Sequence, residues 1–201
     1  MKENKTPYEL GKNLFGKEGR GVVKSGREKF KLNGNPLPFN VLSFWQWSSS
    51  DLLNNRLRGI LAEYIIASAL DLLDTPREEW DAYDLLTKSG LKIEIKSASY
   101  LQSWEQDDFS KIVFGIKQTI LNGKKARQSD VYIFAVLAHK DKKSIDPLEL
   151  SQWDFYILKT SVLDEKLKDQ KTITLSSLLK LQPKKVKYDE IKSEISRIEN
   201  L

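Results

Sequence analysis

From Asp51 onward the chain carries a regular alternation of apolar and polar positions that the residues before it lack. Leu53, Leu57, Ile60, Leu61, Tyr64 and Ile65 recur at steps of three and four, which gathers apolar side chains on one side of an α-helix. A helix is therefore predicted from residue 51 to about residue 73, with Ser48, Ser49 or Ser50 as its N-terminal cap. Pro76 stops any continuation, since it has no N–H to give to the helix. The next segment switches to a period of two: residues 83–86 and 91–97, parted by Lys88-Ser89-Gly90, read as a β-hairpin. Further strands are predicted near residues 112–116, 131–138 and 155–158; the second is an almost unbroken apolar run suited to the middle of a sheet. Residues 161–168 and 176–181 read as short helices, and Tyr188, Ile191, Ile195 and Ile198 carry a helical period to the end. Before residue 51, glycines, basic residues and Pro36-Leu37-Pro38 predict loops and short elements over the main body. The expected organisation is an α/β fold in a single domain over residues 1–201: a peripheral segment 1–50, a core 51–160 and a C-terminal helical segment 161–201.

Composition narrows the chemistry. With 201 residues, 40% hydrophobic and 30% charged, the chain is long enough for one sizeable core and far from a disordered composition. No apolar run approaches the ~20 residues of a membrane helix, and the start lacks the apolar centre of a signal peptide, so a cytoplasmic protein is expected. The absence of cysteine and the single histidine, His139, remove disulfides, thiolate metal sites, imidazole-based zinc sites and Ser-His-Asp catalysis from consideration. Catalysis must then use carboxylates, lysines or hydroxyls. A formal charge of +5 suits a polyanionic partner if the basic residues cluster.

In the strand 91–97 side chains alternate, so Glu94 and Lys96 are neighbours on one face while Ile93 and Ile95 point the other way. A carboxylate that holds Mg²⁺ beside an ammonium that orients a water is what phosphodiester hydrolysis needs. The triplet alone is weak: Glu190-Ile191-Lys192 repeats it inside a helical pattern, where positions i and i+2 do not face each other. Context distinguishes the first copy, because Asp84 precedes it on the facing strand, and two carboxylates suffice for a magnesium site. A third acid, Glu63, has only Gly59, Ile60, Ile66 and Ala67 at ±3 and ±4 on its helix, an environment in which a carboxylate needs a proton, a partner or a cation. Gly59 and Ala67 are expected to let that helix approach the sheet closely.

Glu63 within Arg58-Gly59-Ile60-Leu61-Ala62-Glu63-Tyr64, Asp84 in Tyr83-Asp84-Leu85-Leu86, and Glu94-Ile95-Lys96-Ser97 together resemble the PD-(D/E)xK nuclease superfamily, well over residues 51–100 and loosely beyond. Tyr83 stands where the family's proline usually does, and Asp81 is a rival to Asp84 as the first acid. The resemblance implies a restriction-endonuclease-like core, a mixed central β-sheet flanked by α-helices. It further implies that Asp84, Glu94 and the main-chain carbonyl of Ile95 hold Mg²⁺, with Mn²⁺ as a substitute. Lys96 would orient the attacking water, and Glu63 would bind metal directly or through water. The activity implied is a Mg²⁺-dependent DNA endonuclease of restriction or anti-phage type, acting on duplex DNA, with no membrane partner and as a homodimer by analogy.

Ser97, Tyr100, Gln102 and Ser103, on and just after the catalytic strand, are expected against DNA, and Lys124, Lys125 and Arg127 are candidates for phosphate contacts. Quieter explanations stand beside these. Glu94 and Lys96 could form a solvated strand face paired across to Asp84, and Glu63 could pair with Arg56 or Arg58. Trp104 is assigned to the core and the Trp45, Trp47, Trp80 and Trp153 rings to packing, while His139 reads as a loop residue. The alternative functions are a repair or recombination nuclease and, from a different class, a non-catalytic DNA-binding module or a subunit active only when assembled. Gln128 and Tyr132 have the Gln-x-x-x-Tyr spacing of a RecB-like branch but span the start of a strand, which points away from that branch.

Overall fold

The computed structural model describes residues 23–74, 76–77, 82–121 and 123–200. The chain divides into two compact units, Met1–Ser50 with Leu73–Glu78, and Asp51–Leu72 with Glu79–Leu201. In the first, strands β1 (Lys29–Leu32) and β2 (Asn35–Asn40) form an antiparallel hairpin. Its turn is Asn33-Gly34, both with positive φ (51° and 84°), the conformation that tight hairpins take and that asparagine and glycine tolerate best. Helix α1 (Val41–Ser49) follows directly. Asn40 caps it, accepting from the Ser43 N–H at 2.9 Å while its own N–H donates to Ser43 Oγ at 3.1 Å. The short elements expected before residue 51 are thus, among the described residues, a hairpin and one helix.

The second unit is built on a five-stranded sheet of order β11-β9-β8-β4-β3. Its strands are β3 (Leu85–Leu86), β4 (Lys92–Ser99), β8 (Val131–Leu137), β9 (Trp153–Lys159) and β11 (Lys184–Val186). β4 and β8 run parallel and every other pairing is antiparallel, so the sheet is mixed. All seven residues of β8 are buried, because layers cover both faces. On one face Ile93, Ile95, Ile133, Ala135 and Phe155 pack with Ala62, Ile65 and Ile66 of helix α2 (Asn55–Ala69) and with Ile191 and Ile195 of the C-terminal helix, Ile191–Glu199. On the other, Tyr132, Phe134, Val136 and Leu158 meet Leu163 of helix α3 (Thr160–Leu167) and Leu178 of helix α4 (Leu175–Lys180). The C-terminal helix is α5. The fold is mixed α/β, a mixed central sheet with helices on both faces.

Two small antiparallel pairs complete the unit: β5 (Val113–Gly115) with β10 (Thr172–Thr174), and β6 (Thr119–Leu121) with β7 (Lys124–Ala126). The apolar run near residue 114 therefore buries Phe114 against the main sheet but hydrogen-bonds with β10, outside that sheet.

Helix α2 begins later than the apolar period indicates. Asp51 Oδ1 accepts from the N–H groups of Leu53 and Asn54, holding a turn that carries the chain to Asn54, whose side chain caps the helix through Arg56 N–H at 3.0 Å. The predicted serine caps are instead Ser48 and Ser49 at the end of α1, with Ser50 donating to Gln46 O. At the far end Asp71 takes φ 56° and stops the helix short of residue 73. Gly59 does not provide a close approach: a methyl group built there would meet nothing within 4 Å. Among the described residues no helix is long and apolar enough to cross a membrane.

Candidate active site

Strand β3 is two residues long and pairs only with Ile93 and Lys92 of β4. The chain turns back through Gly90 at φ 96°, closed by Gly90 N–H to Thr87 O at 3.0 Å. Asp84, just before β3, donates its N–H to Ile93 O at 3.0 Å. Its carboxylate then accepts from the Ile95 N–H at 2.6 Å, doing with a side chain what a longer strand would do with a carbonyl. Asp84 thereby stands against the backbone that links Glu94 to Lys96.

Glu94 and Lys96 share a face and form an ion pair. Their side chains are 19% and 33% exposed, so the pair is half sunk into the sheet. Burial, above all, raises the Glu94 carboxyl above the usual carboxylate range; Lys96 works against the rise, and the negative charges of Asp84 and Glu63 add to it. Glu63 of α2, half-buried, is thus within electrostatic reach of Glu94 although the helix packs on the opposite face of β4. Asp84, Glu94 and Lys96 thus meet on β4, with Glu63 acting on Glu94 through its charge. Tyr132 joins them: it is the register partner of Glu94 on β8, and burial first, with the Glu94 charge adding, pushes its phenol up to about 12. Among the described residues no three acidic side chains form a ready-made cation cage.

The residues expected against DNA divide into three sets. Ser103 and Lys125 are exposed, and Lys124 lies in β7. Ser97 and Tyr100 are half-buried, Ser97 Oγ accepting from Arg58 Nε at 3.3 Å and Tyr100 lying beneath the Lys140 ammonium at 4.3 Å. Gln102 and Arg127 lie inside the protein at 6% exposure each. Gln102 accepts from Arg58 and donates to Ser99 O and Ser110 Oγ. Arg127 donates to Ile116 O, Asp164, Lys168 O and Gln170 O. Asp81 and Trp80 lie outside the described residues.

Trp153 is wholly buried, in keeping with a packing role, but Trp104 is 52% exposed, which corrects its assignment to the core, and Trp47 is 86% exposed, too open for the packing role expected of it; Trp45 is 38% exposed. Trp104 follows β4 in a segment too polar to be drawn inward, Ser103 to Asp108. Arg58, weighed as a counterion for Glu63, sends its hydrogen bonds to Leu53 O, Asn55 Oδ1, Ser97 Oγ and Gln102 Oε1. Its signal in the sequence is a long cation three and four residues from Leu61 and Ala62, on the inward side of α2.

Residues 40–177 match the family of bacteriophage T4 endonuclease IV, more than half of the chain. The chain belongs to the bacteriophage T4 endonuclease IV family. Membership makes it an endonuclease, a hydrolase, and the match spans every residue of the acid–lysine cluster. No individual curated protein matches the chain.

Proposed function

We propose that this member of the T4 endonuclease IV family is a Mg²⁺-dependent DNA endonuclease whose active site is Asp84, Glu94 and Lys96 with Glu63, in the manner of PD-(D/E)xK enzymes with a restriction-endonuclease-like core. The observation that carries the reading is the ion-paired Glu94 and Lys96 on one strand face, with Asp84 bonded to the peptide N–H between them and Glu63 in electrostatic reach. A half-buried carboxylate raised chiefly by burial, with two like charges adding, is poorly accounted for as a solvated strand face. A partly buried cluster of acids held beside one lysine is what a hard divalent cation fits.

The donor set suits Mg²⁺, which takes one or two carboxylates and completes its shell with water and phosphate oxygens. Asp84 keeps Oδ1 for this while Oδ2 holds the Ile95 N–H, and Glu94, the Ile95 carbonyl and Glu63 are the other candidate oxygens. When bound, the ion supplies charge neutralisation at the phosphate and lowers the pKa of a bound water. Glu94 then no longer needs Lys96 as its counterion. The freed ammonium orients the attacking water and stabilises the charge that builds on the phosphoryl oxygens. Ser103, Lys124 and Lys125 remain candidates for the DNA surface, with Ser97 and Tyr100 at its edge. Duplex DNA, a homodimer and a restriction-like or anti-phage setting complete the reading.

Lys96→Ala tests it. Plasmid cleavage in Mg²⁺ should fall by about 10²-fold or more, as for loss of a group acting in the transition state, while duplex binding stays within a few-fold. Cleavage at the wild-type rate by this variant, or wild-type cleavage that persists in EDTA, overturns the assignment.

A further inference from the structure

We propose that Arg58 is a positioning residue of the nuclease site, fastening the helix that carries Glu63, the strand that carries Glu94 and Lys96, and the segment leaving that strand into one rigid piece. The inference rests on the nuclease reading above. Arg58 is 4% exposed, and its described hydrogen bonds go to neutral oxygens: Leu53 O at 2.8 Å, Asn55 Oδ1 at 2.7 Å, Ser97 Oγ at 3.3 Å and Gln102 Oε1 at 3.2 Å. Burying a cation is unfavourable by several kcal/mol where water is excluded, and burial brings this guanidinium down to about 10. A methionine of similar volume would fill the space without that penalty, so the gain must lie in the fixed fork of donors.

The fork joins three segments. Two of its bonds stay in the first turn of α2 and the residues before it, and set the side chain's direction. The third reaches Ser97, the residue after Lys96; alternation turns Ser97 toward α2 and Lys96 away from it. A shift at Ser97 therefore moves Lys96, whose Cα is ~3.8 Å away. The fourth reaches Gln102, which donates to Ser99 O and Ser110 Oγ and whose N–H is taken by Gln106 Oε1 at 2.6 Å. Gln106 in turn donates to Tyr100 O, Asp108 O and Ser110 Oγ. The chain from Ser99 to Ser110 is thus folded on Arg58. Five residues along α2, roughly 7.5 Å of rise, stands Glu63. One side chain sets the helix acid against the strand acid.

The test compares wild type with Arg58→Met, and with Arg58→Gln should the Met variant fail to fold. Wild type must first cut DNA: a silent wild type overturns the nuclease reading and this inference with it. With an active wild type, the variant's kcat should fall by about 100-fold, the scale of a misplacement near 1 Å, while KM and duplex Kd stay within about threefold. Amide exchange at Gln102 and Ser110 should quicken by about tenfold or more with Ile133 unchanged, the signature of local loosening. A folded variant with wild-type kcat overturns the inference alone. So does a kcat loss matched by an equal loss of DNA affinity, which would make Arg58 a direct contact, or a loss that vanishes when assayed well below the melting transition.

Discussion

Arg127 sits at the end of a basic run, Lys124-Lys125-Ala126-Arg127, that invites a reading as a phosphate-binding loop. Its side chain is wholly buried, whereas Lys125 two residues earlier is exposed, and this contrast sets up a quantitative test. Arg127→Met removes bonds to Ile116 O at 2.8 Å, Asp164 at 2.6 Å, Lys168 O at 2.9 Å and Gln170 O at 3.2 Å. Hydrogen bonds from a charged donor contribute ~1.5–3 kcal/mol each, so four give a nominal upper limit of roughly 6–12 kcal/mol. That sum overshoots, because the four share one donor group and are not independent. Asp164, with its side chain 47% exposed, also regains water. The sounder expectation is the cost of leaving the three backbone carbonyls without their donor, ~1–3 kcal/mol each and, shared among them, about 3–5 kcal/mol in all. Each kcal/mol lowers Tm by ~2–4 °C in a protein of this size, so the drop should be on the order of 10 °C. Lys125→Ala should change stability by no more than about 0.5 kcal/mol. If it touches phosphate, it should lower the slope of log affinity against log salt by about one. Calorimetric melts and fluorescence anisotropy on a duplex from low to moderate salt read both quantities. An Arg127→Met protein with wild-type Tm and a reduced salt slope would refute the internal role.

Two further outcomes follow from the same geometry. Glu94 has its carboxyl raised by burial, so its contribution to stability is full below the unfolded value near 4.5 and is lost as pH rises through the folded value. Glu94→Gln, neutral throughout, should therefore abolish cleavage yet melt above wild type at pH 7 to 8 in metal-free buffer, with the advantage shrinking as pH falls past 4.5; a lower Tm at neutral pH contradicts this. Asn54→Ala removes the cap of α2 and should destabilise by about 1 kcal/mol in urea melts, whereas Ser50→Ala, at the end of α1, should leave α2 unaffected.

The long helix, the hairpin, the central apolar strand and the last helix are all legible from periodicity, since burial on one face or both leaves a period of 3.6, 2 or none. What periodicity misses has a common cause. The start of α2 is decided by Asp51 and Asn54 accepting particular N–H groups, a local competition that an apolar stripe does not record. β11 and β10 are three residues each and owe their strand state to β9 and β5, partners remote in sequence. Within the site, the side of β4 shared by Glu94 and Lys96 follows from alternation, but the side-chain bond from Asp84 to Ile95 depends on β3 ending after two residues. The same limit explains Gln102 and Arg127: a polar residue buried by its own hydrogen bonds reads, in one dimension, like a polar residue turned outward.

The cluster's position in the sheet has a physical logic. β8 is flanked by strands on both sides and closed on both faces, so a carboxylate there would find neither water nor a free donor. β4 has a full partner on one side only; on the other, β3 gives out after Ile93, and the next ladder N–H is left for Asp84. There acids can gather with an open flank and a paired strand behind them. The arrangement is unfavourable to the folded state, as the raised Glu94 carboxyl records, and Lys96 offsets it only in part. On the reading proposed above, the bound cation supplies positive charge beside Glu94. Divalent cation should therefore stabilise the wild type and fail to stabilise Glu94→Gln. Equal stabilisation of both by Mg²⁺ would place the ion away from β4.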